Sequence, residues 1–347
     1  MFDTIKLSIP IVLSEAEITK INWTQTKTSK YGTKSYTTVY KRIYNTTVSG
    51  TPNIFLIFKE QNPTESWLKV EVSIPKFLYG SNVFEVNEND IGVFYKKLKK
   101  HLAEQLKIDV TRIPNIEKCR VDKLHICKNF NVGSLKHEYL KAMCKVSKSK
   151  YSVRIYHAMG SNIIQTVEWK AYSRKIKLYD KEAEVIAKGL ANTPAASKAK
   201  GMLRFEIELS KKELDKISPS RIATSVLKKS VVDVILQNTL DEIGLGMGIQ
   251  ISSLQQILDT INQQSKLKAR GKSTLKAFAT DLIMDGETQC RKNYSKATFQ
   301  RHFKELKMLL GVQKIILSPV TLPPLRIDEN KKTVSVIAEQ KTVIEKL

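Results

Sequence analysis

The chain has 347 residues, of which 41% are hydrophobic, and its 58 Lys and Arg against 34 Asp and Glu give a formal net charge of +24. No apolar stretch approaches the roughly 18 residues that a membrane-spanning helix needs, and the opening MFDTIKLSIP lacks a signal-peptide layout. We therefore expect a two-domain cytoplasmic protein with no membrane partner. Its basic surface should bind a polyanion, nucleic acid rather than a membrane surface; a highly soluble, lysine-rich protein is the alternative.

Short runs of β-branched and aromatic residues dominate residues 1–215. They include FDTIKLSI, WLKVEVSI, KCRVDKLHIC, KIKLYD and MLRFEIEL. Two helical patterns lie among them, one with a cap at Asn89 or Asp90 and one with a cap at Ser134. These patterns predict an α+β domain built on a mostly antiparallel sheet with flanking helices.

Helical spacing replaces the strand pattern after residue 215. The helical runs are PSRIATSVLKKSVVDVILQNTL, SLQQILDTINQQSKL, TLKAFATDLIMD and KATFQRHFKELKMLLGV. They predict a smaller, all-helical second domain over residues 216–317. Residues 318–347 open with the proline-containing SPVTLPPLRIDENKKT and should form an extended tail with a short final helix.

Several familiar sites are excluded by spacing. The segment GKST resembles the end of a phosphate-binding P-loop, but Lys266 stands where that loop requires glycine, so we reject a nucleoside-triphosphate site. The five histidines include no pair at metal-binding spacing within one element. The four cysteines form no C-x-x-C and should be free thiols, which excludes zinc ribbons and disulfides.

Acidic residues lie inside several apolar strand patterns, where they are unusual. Glu71, Asp122 and Glu206 are the main examples, and Arg120 and Arg204 each precede one of them by two residues. An arginine and an acid at this spacing share one strand face, where they can form an ion pair or flank an acidic metal site. Salt bridges on a solvent face are an equal alternative. Carboxylates without histidine pairs would favour Mg²⁺ or Mn²⁺.

The order of these motifs resembles the gene II replication initiators of filamentous bacteriophages and related phage and plasmid replication proteins. The resemblance runs from FDTIKLSIP through VEVSIPKFLYGSNVF, CRVD, SRKIKLYDKEAE and LRFE to GKSTLKAFATDL and KATFQRHFKEL. It therefore covers most of residues 1–310. Each motif is short, and their common order and spacing carry the similarity.

The resemblance implies a metal-dependent nickase that starts rolling-circle replication in a bacterial host cell. Such an enzyme cleaves the plus strand of its origin through a tyrosine, remains attached to the 5′ phosphate and later rejoins the displaced strand. The Y-x-K-x-x-E motif of the family falls on Tyr179, Lys181 and Glu184. Asp122 and Glu206, with Glu71 as a third candidate, correspond to Mg²⁺ or Mn²⁺ ligands.

Physical arguments support a catalytic role for this motif but leave alternative interpretations of its residues. A phenol has a pKa near 10, so a lysine and a metal ion can favour the phenolate that attacks phosphorus. Tyr179 can instead be a packed aromatic at a strand end, with Asp180 capping the next helix, and Tyr172 and Tyr156 are competing nucleophiles. His125 can be a metal ligand or a general acid. The favoured interpretation is a packing role, with the side chain buried beside a cysteine.

The candidate DNA contacts lie in both predicted domains. In YSKATFQRHFKELKML, Ser295 should cap a helix whose apolar side carries Phe299, Phe303, Leu306 and Leu309, and His302 is placed on its polar side. This resembles a recognition helix of a helix-turn-helix-like segment; a surface amphipathic helix is the alternative. The candidate contacts are Lys296, Thr298, Gln300 and Arg301 in this helix, and Arg120, Lys177 and Arg204 in the sheet.

Together, these observations predict an origin-nicking and strand-joining domain over residues 1–215, a DNA-binding domain over 216–317 and the tail. Expected partners are double- and single-stranded origin DNA and a host helicase and DNA polymerase, since the chain lacks a nucleotide site. An oligomer on DNA is compatible with this function. A non-enzymatic origin- or operator-binding protein, and a relaxase- or transposase-like strand transferase, are the two alternatives.

Overall fold

A computed structural model describes the fold of residues 1–21, 23–29, 36–42, 50–59, 66–144, 146, 150–246, 249–311, 314–317 and 322–327. Most of the predicted tail, including the short final helix, lies outside the described residues. The strands are β1 (Phe2–Pro10), β2 (Thr24–Ser29), β3 (Tyr36–Arg42), β4 (Asn53–Lys59), β5 (Trp67–Ser73), β6 (Arg120–Asn131), β7 (Ser152–His157), β8 (Ile164–Lys170), β9 (Arg174–Asp180), β10 (Met202–Ser210), β11 (Ile249–Ser252) and β12 (Lys314–Leu317).

The first ten strands form one antiparallel sheet within the described residues. Its spatial order is β2-β3-β4-β5-β1-β6-β10-β9-β8-β7, so β1, β6 and β10 occupy the middle. The helices are α1 (Glu15–Thr19), α2 (Ile74–Tyr79), α3 (Glu88–Leu106), α4 (Lys136–Cys144), α5 (Lys181–Ala187), α6 (Pro194–Ala199), α7 (Lys211–Ile217), α8 (Ala223–Val226), α9 (Lys229–Ile243), α10 (Leu254–Gln263), α11 (Ala269–Met284), α12 (Gly286–Asn293) and α13 (Lys296–Leu310). The prediction of a mixed fold with an antiparallel sheet and helices toward the C-terminus is confirmed.

Strand alternation creates the main core. In β1, Ile5, Leu7 and Ile9 are fully buried, whereas Lys6 between them is half-buried on the opposite face. Helices α3, α4 and α9 pack on the apolar face and contribute residues to one continuous core with the sheet. In α9 the buried residues recur at helical spacing, so this helix presents one continuous apolar side.

The local starts of two helices differ from the predictions. Helix α3 begins after Asn87 rather than at Asn89 or Asp90, and the Asn87 N–H donates to Asp90 Oδ2 at 2.8 Å. Asp90 therefore contributes to the cap of the helix by accepting this hydrogen bond from its position in the first turn. Ser134 lies within a 3₁₀ turn that precedes α4, and it does not cap that helix. In both cases the helix begins within two to three residues of the position that composition favours.

A second core is formed by α10 to α13. Its buried residues include Ile257, Leu275, Phe278, Phe299 and Leu306. Strands β11 and β12, which stand before α10 and after α13, pair in parallel and so join the two ends of this helical unit. The domain boundary predicted at residue 215 stays a prediction. In the structure, α9 packs in the main core, whereas α10 to α13 pack in the second core.

Part of the predicted tail is packed against the main core. Leu322, Leu325 and Ile327 are buried there, and the Leu325 N–H donates to the Leu245 carbonyl oxygen at 2.7 Å. The segment 322–327 therefore packs against the main core near the end of α9, because its backbone and its side chains both have partners there.

Candidate functional site

Tyr179 lies in a row of residues that crosses the end of the sheet. The antiparallel register places Arg204 of β10 on one side of it and Thr166 of β8 on the other, and Thr166 in turn faces Tyr156 of β7. The Tyr179 hydroxyl donates to Glu206 Oε2 at 3.1 Å, and the residue is only 8% exposed. Directly paired residues share one face, so the row presents two tyrosines and an arginine on the polar face of the sheet.

Arg204 is a buried electrostatic centre next to Tyr179. Its side chain is 1% exposed, and its Nη2 lies 3.2 Å from Asp3 Oδ2 and 2.9 Å from Cys127 Sγ. Its Nη1 donates to the backbone oxygen of Asn82, and its Nε lies 4.0 Å from Glu206 Oε2. Arg204 was also named as a candidate DNA contact, and its burial does not fit that role, because the guanidinium is directed into the protein.

Lys181 and Glu184 are brought together beside the same row. Lys181 Nζ donates to Glu184 Oε2 at 2.7 Å and to Asn82 Oδ1 at 2.9 Å, and it lies 5.9 Å from the centre of the Tyr179 ring. Asn82 thus touches both Lys181 and Arg204. The three residues of the Y-x-K-x-x-E motif form one local arrangement because the strand ends at Asp180 and a helix begins immediately.

Asp180 makes that abrupt transition. Its carboxylate accepts from the Ala183 N–H at 3.0 Å, which caps α5, and its Oδ2 lies 2.9 Å from Lys136 Nζ. The capping role considered for Asp180 is confirmed. It does not exclude a chemical role for Tyr179, because the cap fixes the helix that carries Lys181 and Glu184.

Burial and neighbouring charges shift the pKa values of this group. Burial raises the pKa of Tyr179 well above its usual value, and the Glu206 charge adds to this against the opposing charge of Arg204. Burial, with Arg204 nearby, lowers the pKa of Lys181 to about 7. Burial opposes ionisation of Glu206, but the His125 hydrogen bond and the Arg204 charge prevail and lower its pKa to about 2. At neutral pH the tyrosine is protonated and the glutamate is ionised.

Asp122 reaches the polar face through an irregularity in the strand. Lys6 of β1 faces Lys123 and Leu7 faces Val121, so Asp122 has no partner in β1 and forms a β-bulge. Its Oδ2 accepts from Ser8 Oγ and from Lys69 Nζ, each at 2.5 Å. Lys211 and Arg221 approach its other oxygen at 3.4 and 3.8 Å. These cations already neutralise the carboxylate.

The three predicted metal ligands do not assemble into one set. Glu71 lies in ion pairs with Lys6 at 3.5 Å and Lys123 at 3.7 Å, whereas Glu206 lies beside Tyr179. Among the described residues, no three His, Cys, Asp or Glu side chains are arranged to hold an ion. Asp122, Glu71 and Glu206 therefore do not fit a shared Mg²⁺ or Mn²⁺ site, because lysines and arginines occupy the positions that a cation would take.

His125 lies among carboxylates rather than in a packed apolar environment. Its Nδ1 is 3.2 Å from Glu206 Oε1 and its Nε2 is 3.5 Å from Glu208 Oε2. The preference for a packing role is therefore not met. Glu208 also forms ion pairs with Lys123 at 3.2 Å and Lys175 at 3.1 Å. The solvent-face salt bridges considered for the strand acids are thus present around Glu71 and Glu208.

The remaining candidates in the sheet differ in exposure. Arg120 is exposed, and Lys177 is half-buried between Glu206 and Glu168 in the register. Tyr172, in the turn between β8 and β9, is 97% exposed, and Tyr156 is 46% exposed. Neither competing tyrosine has the buried lysine and arginine that surround Tyr179.

Two residues of the site carry no predicted role. They are Asn82 and Asp3. Asn82 falls in the GSNVF segment that contributes to the resemblance, and Asp3 is an acid at the very start of an apolar strand, so each had a signal in the sequence. Their role as partners of Arg204 and Lys181 depends on which strands become neighbours. The pattern of a single strand does not specify that order.

The polar side of α13 presents most of its predicted DNA contacts. Ser295 caps the helix by accepting from the Thr298 N–H at 3.2 Å, as predicted. Lys296, Gln300 and Arg301 are exposed and Thr298 is half-buried. His302 is instead buried with its ring centre 5.5 Å from that of Phe278, so its place on the polar side was wrong. The apolar side is confirmed, since Phe299, Phe303, Leu306 and Leu309 all pack in the second core.

Taken together, the fold and the site define a basic α+β protein whose sheet carries a buried tyrosine, lysine and arginine beside a charged face, and whose C-terminal helical unit exposes cations. This combination is typical of proteins that act on polyanions. Residues 1–230 match the family described as the N-terminal part of the phage replication-associated gene II protein. The match covers well over half of the chain, and the protein belongs to this phage replication-associated family.

The match confirms the resemblance to gene II replication initiators and supports a role in phage replication initiation. No curated protein matched the chain, and no solved structure matched it. Within the described residues, no helix has both the length and the apolar character to cross a membrane.

Proposed function

We propose that the protein starts rolling-circle replication by nicking the plus strand of its origin through Tyr179. The observation that carries this proposal is the convergence of Tyr179, Arg204 and Glu206 with Lys181 at one end of the sheet. The buried Arg204 guanidinium beside the hydroxyl suits an anionic transition state, since a fixed positive group in a dry site stabilises developing negative charge strongly. Membership of a replication-associated family supports the same assignment.

The proposed step is a transesterification at phosphorus. The Tyr179 oxygen attacks the scissile phosphate, an O–P bond to the tyrosine forms, and the bond from phosphorus to the 3′ oxygen breaks. Lys181 is the candidate to take the phenol proton: burial lowers its pKa to about 7, so it is partly neutral at neutral pH, and its Nζ lies 5.9 Å from the centre of the Tyr179 ring. Before the attack, the hydroxyl donates to Glu206. The same proton then passes to the departing 3′ oxygen. Reversal of these steps by a 3′ hydroxyl rejoins the displaced strand.

Arg204, Glu206 and Glu184 position the reacting groups in this scheme. Glu206 accepts the Tyr179 hydrogen bond and orients the hydroxyl, and Glu184 with Asn82 orients the Lys181 amine. Arg204 offsets the charge that forms on the tyrosine oxygen, since its charge already favours the phenolate form. These are positioning roles, because each acts through Tyr179 or Lys181.

Dependence on Mg²⁺ or Mn²⁺ remains part of the proposal. An ion at the scissile phosphate would act as a Lewis acid. The predicted ligands Asp122, Glu206 and Glu71 do not form a set that fits it, so no step above depends on the ion. Activity in chelator and in each metal tests the requirement directly.

DNA recognition is assigned to the helical unit and to the charged face. Exposed Gln300 and Arg301 are suited to read base edges, and Lys296 and Thr298 to hold phosphates. Arg120 and Lys177 extend the phosphate contacts on the sheet. Under this proposal residues 1–215 nick and rejoin, residues 216–317 bind the origin, and a host helicase and DNA polymerase unwind and copy it.

Covalent trapping tests the proposal. Supercoiled DNA that carries the protein's own replicon is incubated with Mg²⁺ or Mn²⁺ and with wild-type, Tyr179→Phe, Tyr156→Phe or Tyr172→Phe protein. We expect nicked circles and a phosphotyrosine at Tyr179, found by peptide mass spectrometry, in all proteins except Tyr179→Phe. Tyr179→Phe should still bind the DNA, because it loses only one hydroxyl.

Other outcomes reassign the function. An adduct at Tyr156 would keep the reaction but move the nucleophile two strands away in the same row. Binding of the replicon without any nick, in either metal, would favour a non-enzymatic origin- or operator-binding protein. Nicking that requires a transfer or transposition sequence rather than an origin would favour a relaxase- or transposase-like strand transferase.

A further inference from the structure

Two aromatic side chains are exposed on a loop that contacts the group of residues around Tyr179. Tyr79 is 43% exposed and Phe84 is 40% exposed, and their rings meet edge to face with centres 6.4 Å apart. Between them in the chain lies Asn82, whose side-chain oxygen binds Lys181 and whose backbone oxygen binds Arg204. The ring pair therefore lies within three residues of a side chain that touches the buried cations on the polar face of the sheet.

The loop that carries the two rings is fixed to the sheet. Val86, near its end, forms an isolated bridge with Phe2 of β1. Asn129 of β6 donates from its backbone N–H to Glu85 Oε1 at 2.6 Å and from its side chain to the Val83 carbonyl oxygen at 3.0 Å. Because the backbone around the rings is already held, the ring pair is a preformed surface, and a flat ligand that binds there orders little of the protein.

Positive charge accumulates beside this loop. Glu184 accepts from Lys181 Nζ through one carboxylate oxygen and from Lys188 Nζ through the other, so two amines share one carboxylate. The side chain of Lys188 is 47% exposed, whereas that of Lys181 is fully buried. Burial and repulsion from Lys76 and Lys181 lower the pKa of Lys188 to about 8. An anion that reaches Lys188 from solvent would offset this surplus of positive charge.

A nucleotide of single-stranded DNA carries the two chemical groups that fit these features. Lys76, whose charge acts on Lys188, belongs to the helix that ends at Tyr79, so the cation and the ring pair are neighbours. An unpaired base stacks on an aromatic ring, and the backbone phosphate pairs with an exposed amine. In a duplex each base is already covered by its neighbours on both faces. The features therefore favour an unpaired strand over a duplex.

We propose that Tyr79 and Phe84 stack one unpaired base of the DNA strand that Tyr179 attacks, and that Lys188 holds a phosphate of the same strand. Stacking holds the strand beside the reaction centre without selecting a particular base, since every base has a flat face. The place of this subsite beside the nick rests on the proposed nicking function, whereas its binding of an unpaired strand does not.

Short single strands test the rings without any cleavage. A fluorescently labelled thymidine pentamer and a pentamer with the same phosphates but no bases are titrated by anisotropy, without divalent metal, into the full-length protein. We expect the pentamer with bases to bind about tenfold more tightly. Phe84→Leu and Tyr79→Leu should each reduce this difference to about threefold or less, whereas Phe84→Tyr and Tyr79→Phe should keep it because they keep the ring. Tyr172→Leu, at an exposed tyrosine in the turn between β8 and β9, should also keep it.

The phosphate contact has a separate signature. Lys188→Met should weaken the binding of both pentamers by the same factor, about threefold at low salt, and reduce the slope of log affinity against log salt concentration by about 0.7. Lys97→Met, at an exposed position of α3, should leave the affinities and the slope unchanged. Melting temperatures confirm that each variant is folded. An unchanged slope in Lys188→Met would overturn the phosphate contact.

Photocrosslinking locates the base on the protein. A pentamer with one iodouracil is irradiated in the complex, and peptide mass spectrometry should find the cross-link at Tyr79 or Phe84. Cross-links only at other aromatic residues would overturn the proposal. Equal binding of the two pentamers by the wild type, or an unaltered difference in both leucine variants, would overturn it as well.

Removal of single bases places the subsite on the strand. One base at a time is removed from a single-stranded origin oligonucleotide, and kcat/KM for nicking should fall about tenfold at one or two positions next to the nick. Phe84→Leu should show no such fall at those positions. An equal response at every position would overturn the place beside Tyr179. Binding of the pentamer through the rings by a protein that never nicks would refute the nicking proposal alone.

Discussion

The sheet and the helical unit use positive charge in opposite ways. On the polar face of the sheet, lysines and arginines lie in ion pairs with strand acids, as in the series Lys6, Glu71, Lys123 and Glu208. On α13, Lys296 and Arg301 are exposed to solvent. The same residue types therefore lie in a network of ion pairs in one region and face solvent in the other, where we propose that they bind DNA. Sequence composition alone cannot separate these uses, but burial can.

Replacing the buried arginine of the sheet should have the largest effect on stability. In Arg204→Met, the Asp3 carboxylate loses its partner inside the protein, and removing one member of a buried ion pair costs about 3–5 kcal/mol. Arg120→Met is the matched control, since Arg120 is exposed on β6 and should change stability by about 0.5 kcal/mol or less. Urea unfolding followed by circular dichroism measures both. Equal effects of the two substitutions would contradict the distinction between a structural and a surface arginine.

A smaller but diagnostic effect concerns pH. Unfolded Lys181 has its usual pKa of 10.5, whereas the folded value is about 7, so between these pH values the unfolded chain binds the extra proton. The free energy of unfolding should therefore rise with pH in this window through Lys181, by up to about 1.4 kcal/mol per pH unit. Lys181→Met removes this contribution, so its stability should depend less on pH than that of the wild type.

The window for that measurement is pH 7 to about 9, because unfolded tyrosines begin to ionise near pH 10 and act in the opposite direction. Lys97→Met, at an exposed position of α3, is the control and should keep the wild-type slope. A Lys181→Met slope equal to that of the wild type would mean that Lys181 keeps an ordinary pKa in the folded protein. The proposed proton transfer from Tyr179 would then lose its acceptor at neutral pH.

The accuracy of sequence-based prediction also differs between the two regions. The cap at Ser295 and the apolar side of α13 were predicted correctly, because caps and helical spacing depend on neighbours within one turn. The strand acids were found, but not their partners. Asp122 reaches Lys69 through a bulge, and Arg204 reaches Asp3 only because β1 lies next to β6 in the sheet order. Contacts between distant segments follow from topology, which one strand pattern does not specify.

On the helical side, Arg301→Ala should weaken binding to the origin by about 1–3 kcal/mol while leaving binding to unrelated duplexes nearly unchanged. Lys304→Ala, one turn further along the exposed side, should weaken binding to both DNAs by similar, smaller amounts and reduce the salt dependence. Anisotropy titrations at several salt concentrations separate these cases. Equal losses on both DNAs with Arg301→Ala would assign that residue to phosphate contact.

The smallest expected effect tests whether the helix start matters for that surface. Ser295→Ala removes the cap that accepts from the Thr298 N–H, which typically costs about 1 kcal/mol, and should speed amide hydrogen exchange in the first turn of α13. Thr274→Ala, at an exposed position of α11, should leave this exchange unchanged. If origin affinity falls with Ser295→Ala in proportion to the faster exchange, Lys296 and Thr298 act from an ordered turn. Unchanged affinity would place the recognition surface further along α13, at Gln300 and Arg301.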